Sequence, residues 1–128
     1  MAEHEYPFLY KARQSLAGAE SELGNRRHDN AANRCYYAAF QAAIAALQQS
    51  GISAEEWGHD FVPAEFEGRL IYRRKLYPTE LRGTLGRLYS LRETADYDED
   101  VVSRTEAERA VRRTRTFVEA VETQLARR

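Results

Sequence analysis

The run CYYAAFQAAIAAL, residues 35 to 47, limits the fold more than any other stretch, because Gln41 is its only fully polar residue. A helix that is apolar nearly all round has no face to give to water, so it must lie at the centre of other helices. Its many alanines let those neighbours approach closely. Asp29 or Asn30 supplies an N-cap, and Gly51 follows Gln49 as a stop, so the spacing predicts a helix from about residue 30 to Gln49.

The flanking sequence supplies the neighbours. Leu9, Ala12, Leu16, Ala19 and Leu23 step by three or four residues, and Gly24 and Asn25 end that helix. Ser53 with Glu56 resembles a capping box, but Trp57, Gly58 and Pro63 break the pattern, so residues 51 to 62 read as an irregular connection. A shorter third helix is expected from Pro63 to Leu76. Pro78 and Thr79 then restart the chain into a helix carrying Leu81, Leu85, Leu88 and Ala95, in which Gly83 and Gly86 weaken the helix or permit close packing. Ser103 with Glu106 forms a cleaner capping box before a last amphipathic helix from Ala107 to Leu125. The fold class is therefore all-α, an antiparallel bundle of about five helices forming one domain over residues 1 to 128.

Composition removes several function classes. Lys plus Arg is 19 against 20 Asp plus Glu, so a net charge of −1 gives no general attraction to nucleic acid or membrane. The asymmetry is local: Arg69, Arg73, Arg74, Lys75, Arg82, Arg87 and Arg92 face only Glu80 between residues 69 and 92, and five acids follow by residue 100. Such a stretch either follows a phosphate backbone or forms a solvated face. A single buried-type Cys35, no stretch near the length needed to span a bilayer, and an acidic opening MAEHEYPF point to the cytoplasm. His4, His28 and His59 lack metal-ligand spacing, so neither a metal nor a cofactor is expected.

The stretch LRETADYDED, residues 91 to 100, is where chemistry concentrates. At about 100° per residue, Arg92 and Asp96 fall about 20° either side of Leu85, inside the apolar stripe of the fourth helix. Arg before Asp is the weaker order for a helical pair, and an acid near a helix C-terminus is mildly disfavoured, so local stability does not account for them. Two readings stay open: an ion pair that fixes register or a dimer contact, and a recessed guanidinium shaped to grip phosphate or carboxylate. Asn33, Tyr37 and their polar neighbours Asn30, Gln41 and Gln48 either line a cleft facing Arg92 or form the exposed edge of the second helix. His59, in WGHDF, either approaches Arg92 as a proton carrier or hydrogen-bonds within its own loop.

The ordered set NRCYYAAFQAAIAAL (33 to 47), GHDFVPAEF (58 to 66), LRETADYD (91 to 98) and SRTEAERAVRRTRTFVEAVE (103 to 122) resembles the prokaryotic HEPN domain family, in its branch with an Arg then Ala-Asp-Tyr signature. The resemblance covers roughly residues 5 to 125. It implies a bundle of about five helices, commonly a homodimer, often partnered with a nucleotidyltransferase in toxin–antitoxin pairs. Many such proteins are metal-independent ribonucleases with an Arg followed, after four to six intervening residues, by His near the dimer cleft. Here Arg92 is kept, and after four intervening residues Tyr97 stands in the place of that His. A tyrosine that partner enzymes modify with AMP would fall at Glu99, so that feature does not transfer.

A phenol with an ordinary pKa of about 10 is a poor base at neutral pH, where acid–base help is worth about 10²- to 10⁴-fold. The expectation is thus an RNA- or nucleotide-binding module, or one component of a toxin–antitoxin pair, with weak or no nuclease activity. Arg92 would hold phosphate, Asp96 would orient it, and Tyr97 would offer a hydroxyl, with Arg69, Arg73, Arg74, Tyr37 and Asn33 as further contacts to RNA. The alternatives are a ribonuclease toxin that uses His59, and a non-catalytic interaction module.

Overall fold

The computed structural model describes residues 6 to 127, and among them all regular structure is helical, with no strand. Helix α1 spans Pro7–Gly24, α2 His28–Gln49 and α3 Phe61–Glu65, the last continuing as a π-helix over Phe66–Arg73. A 3-10 turn at Thr79–Leu81 precedes α4, Thr84–Tyr97, and α5 runs over Arg104–Ala126. His4 lies outside the described residues.

The apolar run takes the central place that its composition requires. Helix α2 packs on α1, α4 and α5, and from Ala42 to Leu47 every residue is 2% exposed or less. Leu9, Ala12 and Ala19 of α1 close one side, and Phe117, Val118, Val121 and Leu125 of α5 close another. Phe66 of the π-helix stacks at 4.9 Å from Phe117 and 5.0 Å from Tyr77, which fixes the third helix under the bundle.

Element boundaries depart from the sequence reading where side chains have other partners. Helix α2 starts at His28 rather than after Asp29 or Asn30, because the Asp29 carboxylate accepts from the backbone N–H of Val102 at 2.8 Å instead of capping its own helix. That bond ties the start of α2 to the α4–α5 connection. Helix α3 begins at Phe61, two residues before Pro63, which occupies the first turn where its missing N–H costs nothing. Helical structure ends at Arg73 rather than Leu76, with Arg74 N–H bonded to the Arg69 carbonyl and Lys75 at φ +54°. Leu81 is buried in the 3-10 turn, and Gly83 at φ +81° makes the left-handed entry to α4. A Cβ on Gly86 would meet nothing within 4 Å, so this glycine does not serve close packing.

The Ser103 capping box forms in both directions, Glu106 N–H to Ser103 Oγ at 3.1 Å and Ser103 N–H to Glu106 Oε1 at 3.0 Å. Ser103→Ala is expected to cost about 0.5–2 kcal/mol, read as a lower denaturation midpoint at unchanged m-value. Burial pushes the Cys35 thiol from 9.0 up to about 11. The native thiol should therefore resist maleimide at pH 8 and react only on unfolding. The folded state holds this proton more tightly than the unfolded state, so stability should fall as pH rises from about 9 towards 11.

Candidate nucleotide-binding site around Arg92

Helices α2 and α4 meet along a seam of tyrosines. On α4, Tyr89, Arg92, Glu93, Asp96 and Tyr97 are separated by three, four or one residues, so they share one face. On α2, Asn33, Arg34, Tyr36 and Tyr37 meet them. The Arg92 side chain is 9% exposed. Its guanidinium carbon lies 5.3 Å from the ring centres of Tyr36 and Tyr89, 5.7 Å from Tyr37 and 5.8 Å from Tyr97.

Polar contacts fix the guanidinium within this box of rings. Arg92 Nη1 donates to the Tyr37 hydroxyl at 3.3 Å and lies 3.5 Å from Asp96 Oδ2, while Nη2 donates to Glu93 Oε2 at 3.1 Å. Asp96 is itself held: Asn33 Nδ2 donates to its Oδ2 at 3.0 Å, and Arg34 donates to Asn33 Oδ1 at 3.0 and 2.8 Å. Arg34 also stacks on Tyr37 at 5.1 Å. Burial works against the charge of Arg92, but Tyr37, Tyr97, Asp96 and Glu93 outweigh it and hold the group above its ordinary pKa.

One atom is left over. Arg92 Nε is buried and has no hydrogen-bond partner among the described residues. An unmet buried donor costs about 1–3 kcal/mol, more for a charged group, and such atoms in folded proteins call for an explanation.

His59 reaches the same cluster from the connection before α3. Its Nδ1 is hydrogen-bonded to the Tyr36 hydroxyl, so its partner is on α2 and not within its own loop. Burial raises the Tyr36 pKa, which keeps that phenol protonated. The imidazole also packs 5.5 Å from Tyr36 and 5.6 Å from Tyr89, one ring removed from Arg92. Tyr97 is 73% exposed, with its ring against Arg92.

The other sequence candidates do not assemble here. Arg69 pairs with Glu65 at 2.8 Å, Arg74 donates to the Ser50 carbonyl at 2.9 Å, and Arg73 is exposed; none has a contact with Arg92 among the described residues. Arg87 turns to the opposite side of α4, lining a cavity with Arg109 and Arg113. The basic stretch is thus split between faces instead of following one track. Gln41 bonds Ser15 of α1 at 2.8 Å, and Asn30 and Gln48 are exposed, so of that polar stripe only Tyr37 reaches Arg92 directly and Asn33 reaches it through Asp96. Tyr36, Tyr89, Glu93 and Arg34 are site residues the sequence reading did not single out, although Tyr89 stands three residues before Arg92 on the same face. Among the described residues no group of His, Cys, Asp and Glu could hold a metal, and no helix is long and apolar enough to cross a membrane.

Similarity to known proteins agrees with this architecture. The chain matches the HEPN domain model over residues 7–124. It is 33% identical over 113 residues to a UPF0332 protein of Thermotoga maritima, an alignment that covers 88% of this chain and 83% of that protein. A bundle with this helix order, matched along almost its whole length, belongs to the HEPN domain family.

Proposed function

We propose that this HEPN protein is a homodimeric RNA- or nucleotide-binding module, or one component of a toxin–antitoxin pair with a nucleotidyltransferase, with little or no nuclease turnover of its own. The observation that carries the reading is the orphaned Nε of a buried Arg92. A guanidinium presents donors in a fixed fork matched to phosphate oxygens, and a phosphate that displaces the half-exposed Glu93 would engage it. Asp96, held by Asn33, keeps the fork oriented, and the exposed Tyr97 offers a hydroxyl to the same ligand. Tyr97 is a weak base for the proton transfers of RNA cleavage, which favours binding over turnover.

One observation favours a ribonuclease as the second reading: His59 sits against two of the rings that enclose Arg92. Imidazole is suited to the proton transfers that a metal-free cleavage needs.

Single-stranded RNA and mononucleotides titrated into the purified protein in chelator separate the readings. Binding without cleavage is expected, with Arg92→Ala weakening it at least about tenfold and Arg92→Lys restoring only part, since an ammonium lacks the fork. Cleavage that persists in chelator and is lost in Arg92→Ala and His59→Ala would establish the ribonuclease instead. An unchanged affinity in Arg92→Ala, with a lower melting temperature and an altered oligomeric state, would leave Arg92 as a structural lock.

A further inference from the structure

Beside the Arg92 box, on the other side of Tyr36 and Tyr89, a cavity of about 370 Å³ opens between α2, the start of α3 and α4. Its size falls at the small end of the ~300–1,000 Å³ typical of ligand pockets. Tyr36, His59 and Tyr89 wall it with rings, Leu85, Pro63 and Ala64 add apolar surface, and Gly86 leaves one side open. Asp60 and Glu67 stand at its edge.

The chemistry of this lining is selective. Two carboxylates and no Lys or Arg line the cavity, so a phosphate group is repelled from it. A cationic side chain is drawn by the two carboxylates but gains less from the rings, because Tyr36 and Tyr89 already carry the guanidinium of Arg92. A neutral flat ring with N–H donors on its edge meets neither objection. It stacks on Tyr89 and His59 and donates to the carboxylate of Asp60, which has no hydrogen-bond or ion-pair partner among the described residues; Glu67 already accepts from Gly83 N–H at 2.8 Å.

We infer that this cavity binds a nucleobase, and among the bases guanine, whose N1–H and N2–H₂ present two parallel donors to the single carboxylate of Asp60. This rests on the reading of Arg92 as the phosphate holder and extends it: phosphate and base of one nucleotide would lie on the two sides of the Tyr36–Tyr89 pair. Uracil offers one donor on that edge, and hypoxanthine lacks the amino group, so each makes one bond fewer to Asp60.

Calorimetric titration of the full chain with GMP, IMP, UMP, guanosine and inorganic phosphate tests this. GMP should bind about tenfold or more tighter than IMP or UMP, a preference that Asp60→Asn removes. Asp60 is exposed and caps no helix N–H, so this variant should fold. Gly86→Leu fills the cavity into open space and should remove the same preference while leaving phosphate-dependent binding intact. Equal affinities for GMP, IMP and UMP, or a guanine preference untouched by both variants, overturn the inference; if Arg92→Lys still weakens all nucleotides, the phosphate reading survives alone. GMP binding weakened by Asp60→Asn but indifferent to Arg92→Lys keeps the base site and removes the phosphate reading. Asp60-dependent binding of a tri-arginine peptide, with no nucleotide bound, assigns the cavity to a protein side chain and overturns the inference.

Discussion

A guanidinium withdrawn from water loses several kcal/mol of hydration, and the contact between α2 and α4 is organised around returning that loss to Arg92. Four rings within 6 Å each supply about 0.5–2 kcal/mol, and Asp96 and Glu93 add two ion pairs. The unmet Nε subtracts about 1–3 kcal/mol. These terms are of similar size and opposite sign, so burying Arg92 contributes little net stability. Under the proposed function, that position serves a ligand more than the fold.

The rest of the bundle makes that placement possible. An α2 buried along most of its length holds Tyr36 and Tyr37 rigidly, because its alanines are enclosed by α1 and α5. Asp29 pins the turn before α5 through Val102, which sets where α4 ends and hence where Asp96 and Tyr97 stand. The π-helical stretch after α3 brings Phe66 under the core and leaves the His59 connection free to close over Tyr36. Aromatic cage, orphan donor and neighbouring cavity all follow from these three constraints.

Much of this was legible in the residues. The apolar run marks the central helix, the Ser103 and Glu106 spacing marks the start of α5, and simple helical geometry turns Arg92 inward. What escaped was set by contacts distant in sequence. Asp29 looks like a cap until Val102, 73 residues on, takes its carboxylate. His59 gives no local sign that its partner is Tyr36, 23 residues back. The basic stretch from Arg69 to Arg92 reads as one track because sequence does not reveal that the turn at Gly83 sends its members to different faces.

The environment of a single guanidinium carries the rest. Nitrogen-detected NMR of the arginine side chains measures it directly: Arg92 Nε–H should exchange slowly with solvent and carry a large ring-current shift from the surrounding tyrosines. Fast exchange at an unshifted position, like that of the exposed arginines, would contradict it.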